Sequence, residues 1–186
     1  DYIVFITNHG EAAIYNGSDP SDATKWSLVG TFKLPRPIGK RCFININSDL
    51  ILISEQGFMP LSQTLVTGEN APAKAISDKI SGSILQSVNN FSSTFGWQGI
   101  IYPKGQYGLF NVPTSTVGDF DQYVVNVSTG AWGRFTGQNA YCWELLNGEL
   151  YFGENTKVFK ADSGDSDNTA AIQGDAKTAF IYYGGR

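Results

Sequence analysis

One internal repeat constrains the fold of this chain more than any other feature. Residues 41–54, RCFININSDLILIS, align without a gap on residues 141–154, YCWELLNGELYFGE. Each segment contains two short apolar runs joined by Asn-Ser or Asn-Gly, and such turn residues supply the positive φ angles that a two-residue hairpin turn needs. The repeat therefore predicts two equivalent β-hairpins, with Cys42 and Cys142 in matching places.

A second similarity indicates a repeat unit about half as long as the spacing between these two segments. Residues 2–15, YIVFITNHGEAAIY, resemble residues 50–62, LILISEQGFMPLS, with Gly10 aligned on Gly57 in the turn. Repeats of about 50 residues that are filled with short strands are typical of β-propeller blades. We therefore predict an all-β fold of β-propeller-like repeats, each a four-stranded antiparallel blade.

The composition favours the same fold class. Aromatic residues make up 13% of the chain and charged residues only 16%, and there are 21 glycines, which is typical of turn-rich β proteins rather than helical ones. The formal net charge is −4, so the chain lacks the overall positive charge with which proteins bind the phosphates of nucleic acids.

The repeat also predicts the domain organisation. We interpret residues 1–186 as a single β-propeller-like domain or part of one. The predicted blades cover residues 2–34, 39–94, 95–138 and 139–183. Because the sequence opens in a strand-like run without an initiator Met, we expect it to be a fragment of a larger propeller protein.

One segment departs from the strand pattern. In residues 71–90, APAKAISDKISGSILQSVNN, apolar residues recur every four positions at Ile76, Ile80, Ile84 and Val88. This spacing indicates an amphipathic helix, which we place near residues 72–89, where the outer strand of the second blade is otherwise expected.

The two cysteines fit neither a metal-ligand pair nor a disulfide framework, because they are far apart in the sequence. We predict that Cys42 and Cys142 are free thiols, each buried like a small apolar side chain at an equivalent position.

Candidate catalytic residues are few. His9 is the only histidine and falls in a turn, and the chain has no sequence motif of a metalloprotease, serine hydrolase or phosphate-binding loop. Glu144 and Glu149 flank one hairpin, and a pair of carboxylates forms the catalytic residues of most glycosidases. Because Glu149 aligns with Asp49, we interpret it as an ordinary turn residue.

We also expect no metal, cofactor or catalytic site. Asp162, Asp165 and Asp167 cluster in the sequence, but the segment has no glycine at the position that a calcium-binding loop requires and no distal glutamate, so we interpret it as a solvated loop. The tryptophans could form sugar-stacking platforms or pack in the core. Trp26 and Trp132 share one repeat position, which favours a shared packing role in the core.

The segment DQYVVNVSTGAWGRFTGQNAYCWELLNGELYFG, together with residues 2–65, resembles propeller-bearing structural proteins of tailed bacteriophages and prophages. In that family a strand, a TGAW-RFTG run, a Cys-Trp pair and LYFG follow one another. The resemblance covers residues 2–65 and 120–183, but the family members are several times longer than this chain.

The resemblance implies a non-catalytic structural component of a phage tail or head–tail assembly, with a nozzle, hub or DNA-retention role. The implied partners are other virion proteins and, in the full-length protein, further copies in a homo-oligomeric ring. DNA would pass without sequence-specific binding, and no membrane anchor is expected. The implied location is the virion, after synthesis in the bacterial host cytoplasm. A carbohydrate-binding propeller and a glycosidase-type propeller enzyme stay open as alternatives.

Overall fold

The computed structural model describes residues 2–63, 74–167, 170–172 and 174. Strands account for 48% and helices for 11% of the described residues. The described residues form four small antiparallel sheets, which we call sheets I to IV in chain order, and one short two-stranded hairpin. The prediction of an all-β protein is therefore confirmed.

The strands of each sheet are consecutive in the chain. Sheet I contains β1 (Tyr2–Ile6), β2 (Glu11–Gly17) and β3 (Trp26–Lys33). Sheet II contains β4 (Phe43–Ile46), β5 (Asp49–Ser54) and β6 (Gly57–Pro60). Sheet III contains β7 (Gln98–Tyr102), β8 (Tyr107–Pro113), β9 (Phe120–Asn126) and β10 (Trp132–Phe135). Sheet IV contains β11 (Cys142–Leu146), β12 (Glu149–Glu154) and β13 (Lys157–Lys160). The short hairpin pairs β14 (Ser166–Asp167) with β15 (Ala170–Ala171).

The two hairpins predicted from the long repeat have the same pairing register. Phe43 pairs with Leu52 in sheet II, and Trp143 pairs with Phe152 in sheet IV. The third strands also match, because β5 pairs with β6 in the register in which β12 pairs with β13. Asn47 and Asn147 both adopt positive φ, at 50° and 52°. The predicted equivalence of the two hairpins is confirmed.

The half-period similarity holds less closely. Gly10 and Gly57 both adopt positive φ, as their alignment predicts. The loops that contain them differ in length, however, because residues 7–10 join β1 to β2 whereas only residues 55 and 56 join β5 to β6. The two hairpins therefore share a turn glycine but not a pairing register.

Sheet III is the only one with four strands in the described part of the chain. In sheet II the segment after β6 pairs with that strand only briefly, because the Ile76 N–H donates to the Phe58 carbonyl oxygen at 2.9 Å. The Ser77 hydroxyl oxygen accepts from the Phe58 N–H at 3.0 Å. Among the described residues, the expected four strands are therefore seen only in sheet III, and parts of the second and fourth predicted blades lie outside the described residues.

The predicted helix forms, but it begins later than residue 72. A short 3-10 helix (Asp78–Ile80) leads into helix α1 (Ser81–Phe91), and residues 72 and 73 lie outside the described part. Residues 76 and 77 form a turn that is hydrogen-bonded to β6, and the helix begins only after this turn. Ile84 and Val88 are buried, and Ile76 and Ile80 pack against the same core.

The core consists of two apolar clusters separated by sheet III. One cluster joins sheets I, II and III with helix α1 and includes Ala12, Ile44 and Phe110. The other joins sheets III and IV and includes Leu109 and Trp143. Neighbouring residues of β8, Leu109 and Phe110, point to opposite faces of the sheet, so sheet III is covered on both sides.

We name the two faces of each sheet by this order. The forward face of sheets I, II and III is the face that contacts the next sheet in chain order. The forward face of sheet IV is the one that matches the forward face of sheet II in strand register. The rear face of each sheet is the opposite face. Strand β4 lies against β7, and β7 lies against β11, so the first strands of sheets II, III and IV are neighbours.

Candidate interaction surfaces

The forward face of sheet II packs tightly on the rear face of sheet III. A Cβ atom at Gly99 would come within 2.9 Å of the Ile44 Cβ, so only glycine allows this approach of β7 to β4. Phe58 stacks on Phe110 with ring centroids 4.0 Å apart. Trp132 closes the edge of this contact, 6.1 Å from the Phe58 centroid. The sheets therefore meet through an apolar, aromatic contact.

The contact between sheets III and IV contains a row of buried amides in addition to its apolar cluster. Gln98, Asn111 and Gln122 are directly opposite one another on β7, β8 and β9. Asn111 Oδ1 accepts from Trp143 Nε1 at 3.0 Å and from Gln122 Nε2 at 2.9 Å. Asn111 Nδ2 donates to two backbone carbonyl oxygens, each at 2.8 Å. Asn111 uses both atoms of its amide to join the two sheets.

Arg41 extends this network to sheet II. Gln98 Oε1 accepts from Arg41 Nη1 at 2.6 Å and from the Trp143 backbone N–H at 3.0 Å. Arg41 Nη2 donates to the Tyr141 carbonyl oxygen at 3.0 Å, and its guanidinium lies 4.9 Å from the centre of the Phe95 ring. The guanidinium therefore ties the start of β4 to the starts of β7 and β11.

The sequence reasoning missed this network. A signal was present, since Gln98, Asn111 and Gln122 interrupt the otherwise apolar runs WQGIIY, GLFNVP and DQYVVN. All three side chains are buried, and a buried amide needs hydrogen-bond partners. Their partners are backbone groups, one another, Arg41 and Trp143, so the row serves to join sheets.

The two glutamates of the glycosidase alternative lie on the forward face of sheet IV. Glu149 pairs with Lys104 at 2.7 Å and with Lys160 at 3.4 Å. The hydrogen bond from Lys104, aided by the charges of both lysines, lowers the pKa of Glu149 below its usual range. A carboxyl group held ionised is poorly suited to act as a general acid. Glu144 is exposed and accepts a hydrogen bond from the Leu145 N–H at 3.0 Å.

The remaining predicted site residues are scattered. His9 is exposed in the turn from β1 to β2, where its carbonyl oxygen accepts from Lys33 Nζ at 2.9 Å. Asp162 and Asp165 are exposed in the loop after β13, and the Asp167 side chain lies outside the described part. Among the described residues, no group of three His, Cys, Asp or Glu side chains is arranged to hold a metal ion.

Two clefts each contain an oppositely charged pair. One, of about 510 Å³, lies between sheets I and II and includes Arg36 and Glu55, whose charged groups pair at 3.3 Å. The other, of about 310 Å³, lies beside helix α1 and includes Asp121 and Arg134, 3.5 Å apart. Burial raises the pKa of Asp121, and the Arg134 charge opposes that rise. In each cleft the carboxylate pairs with an arginine.

The described residues contain no helix that is long and apolar enough to cross a membrane.

The four tryptophans occupy three kinds of surroundings. Trp97 and Trp143 are buried, and Trp132 packs between sheets II and III, which confirms a core role for these three. Trp26 stacks on Tyr15 at a centroid distance of 5.7 Å, but on the rear face of sheet I. No described element covers that face, so the shared core role expected for Trp26 and Trp132 is wrong for Trp26.

The cysteines behave as predicted in bonding but not in burial. Both are free thiols, which confirms the absence of a disulfide between them. Cys42 is buried, whereas Cys142 is exposed, and this corrects the prediction of two buried thiols. The reason is the neighbouring sheet, since the forward face that carries Cys42 is covered by sheet III, and no described element covers the forward face of sheet IV.

Two sheet faces therefore carry exposed apolar side chains and are uncovered in the described part of the chain. On the forward face of sheet IV, Leu146 is 60% and Val158 is 75% exposed. On the rear face of sheet I, Ile3 is 43%, Phe5 is 57% and Leu28 is 51% exposed. Clusters of exposed apolar side chains of this kind mark interaction surfaces more often than isolated ones do.

No protein-family model matches the chain, and no curated protein matches it either.

Proposed function

We propose that this chain is a non-catalytic structural module built from consecutive β-propeller blades, and that it belongs to a phage tail or head–tail assembly. The observation that carries the proposal is the stack of sheets, in which β4, β7 and β11 lie side by side. In a propeller the first strands of successive blades lie together around the central axis, and each blade packs face to face on the next.

Two further features support the blade arrangement. Sheets II and IV share one strand pairing register, as repeated units of a propeller do. The same sheets contact opposite faces of sheet III, so the order in space follows the order in the chain. Sheet III thus lies between sheets II and IV in space as it does in the chain.

The chemistry of the described residues favours a structural role over catalysis. The buried polar side chains Gln98, Asn111 and Gln122 are engaged in joining sheets. Glu149, one of the two glycosidase candidates, is paired with two lysines. The assignment to a phage assembly comes from the sequence resemblance. The acidic net charge of −4 agrees with a protein past which DNA moves without sequence-specific binding.

The location follows from the same proposal. The protein would be made in the bacterial host cytoplasm and assembled into the virion, with other virion proteins and copies of itself in a ring as partners. An epitope tag on the protein in an infected culture tests this, by sedimentation of purified particles and immunodetection. We expect the tag in the particle fraction, together with the known coat proteins. A tag confined to the unassembled fraction would contradict the proposal.

Carbohydrate binding is the second candidate, because one observation favours it. Phe5, Tyr15 and Trp26 form a continuous aromatic patch on the rear face of sheet I, with centroids 5.8 Å and 5.7 Å apart. Exposed aromatic rings are the usual platforms for sugar rings. Glycan-array binding that is lost in Trp26→Ala but kept in Val117→Ala, an exposed loop control, would support this function.

A further inference from the structure

The two uncovered faces of the chain match the two halves of an interface that is already formed inside it. The formed interface joins the forward face of sheet II to the rear face of sheet III. The forward face of sheet IV repeats the first half, because sheets II and IV have the same register. Val158 therefore occupies the place of Phe58, and Leu146 the place of Ile46.

The rear face of sheet I repeats the part of the second half that β8, β9 and β10 form, and no described strand of sheet I matches β7. In sheet III, Phe110 of β8 pairs with Tyr123 of β9. Two residues after Tyr123, Val125 pairs with Trp132 of β10. The same relation holds in sheet I, where Ile3 of β1 pairs with Tyr15 of β2. Two residues after Tyr15, Gly17 pairs with Trp26 of β3. The two last strands also both begin with their tryptophan. Ile3, Tyr15 and Trp26 thus stand where Phe110, Tyr123 and Trp132 stand in sheet III.

We infer that the forward face of sheet IV binds the rear face of sheet I of a second copy of this chain. The contact would repeat the one between sheets II and III, with Val158 placed against Ile3 and Trp26, as Phe58 is placed against Phe110 and Trp132. A head-to-tail contact of this kind uses two different surfaces, so it closes into a ring or extends further.

The predicted contact is weaker than its internal counterpart. Glu144 stands where sheet II has Ile44, and Lys160 stands where it has Pro60. Both replacements place charge on the forward face, and desolvating charge opposes association. Lys160 already pairs with Glu149, which limits this effect. We therefore expect reversible, concentration-dependent association rather than a permanent oligomer.

The inference rests on the proposed blade arrangement and deepens it by naming the surfaces through which copies meet. Its test is the oligomeric state of the purified full chain by analytical ultracentrifugation at concentrations up to about 1 mM. We expect wild type to form dimers or larger species. Val158→Glu and Phe5→Glu should each sediment as monomers, because each variant has lost one half of the contact. Val117→Glu, an exposed loop variant, should associate as wild type does.

Mixing the two monomeric variants gives the sharpest result. The intact sheet I of Val158→Glu should bind the intact sheet IV of Phe5→Glu, giving a one-to-one heterodimer and nothing larger. Circular dichroism of each variant shows whether it is folded. A wild type that is monomeric throughout would overturn the inference, and so would a folded Phe5→Glu that still self-associates. Detection of the protein in virions is independent of this result, so the two proposals can fail separately.

Discussion

Trp143 and Asn111 join two sheets through a hydrogen bond of 3.0 Å from the indole Nε1 to the amide Oδ1. Both side chains are fully buried, Trp143 on the rear face of sheet IV and Asn111 on the forward face of sheet III. In surroundings with so little water, a polar group that loses its partner is costly, so this pair specifies how the two sheets fit together.

Replacing Asn111 by Ala should destabilise the chain by about 2 to 4 kcal/mol, because the substitution leaves buried donors and carbonyl oxygens unpaired and opens a small void. Urea unfolding followed by tryptophan fluorescence measures the change. Asn45→Ala is the matched control, since Asn45 is exposed on β4, and we expect a change below about 0.5 kcal/mol. Equal effects in the two variants would show that Asn111 does not join the sheets.

Gly99→Ala should destabilise the chain by about 1 to 3 kcal/mol, because the new methyl group would collide with the Ile44 Cβ and push β7 away from β4. Gly82→Ala is the control in helix α1, where an added Cβ meets nothing within 4 Å. Alanine there should raise stability by roughly 0.5 to 1 kcal/mol through helix propensity. A stable Gly99→Ala would mean that the two strands are not in close contact.

The long repeat made the hairpins of sheets II and IV predictable, because alternating apolar residues and Asn turns encode a local register. The helix was also predictable in type, but its start was not. Ile76 and Ser77 pair with β6, and such a tertiary contact overrides the local periodicity.

The repeat does not predict which of its equivalent positions are buried. Cys42 and Cys142 have the same place in their hairpins, yet one is covered by a neighbouring sheet and the other is not. The amide row was missed for a similar reason, since Gln98, Asn111 and Gln122 come together only when three strands pair. Interfaces between repeats depend on neighbours, which a single unit does not encode.

The thiols should differ in reactivity. Cys142 is exposed and should react with iodoacetamide in the folded chain, whereas Cys42 should react only after unfolding. Burial also raises the pKa of Cys42, which lowers its fraction of reactive thiolate. Mass spectrometry of peptides after timed labelling separates the two sites. Labelling of both cysteines at equal rates in the native chain would contradict the buried place of Cys42.

Stability should fall in alkaline solution, in part because of Tyr107. Burial, with help from the nearby Asp162 charge, raises the pKa of this phenol above its usual value. Below about pH 10 the phenol is neutral in both the folded and unfolded chain, so its contribution to stability is fully present. As the pH rises further, the unfolded chain loses the proton first, and the contribution is lost.

Urea midpoints at about pH 9 and about pH 11 test this assignment. Tyr107→Phe should lose less stability between the two pH values than wild type does. Tyr2→Phe, at a tyrosine that is 69% exposed, serves as the control and should behave as wild type. An identical alkaline loss in wild type and Tyr107→Phe would exclude Tyr107 as a source of the pH dependence.

Cryo-electron microscopy of the intact tailed particle is the strongest test of the proposed function, because it shows both the location of the chain and the arrangement of its sheets. We expect this chain in the tail or head–tail region, with β4, β7 and β11 side by side around an axis. We also expect another β-sheet over Leu146 and Val158 on the forward face of sheet IV. A particle map without this chain, or one in which that face of sheet IV is open to solvent, would rule out the proposed assembly.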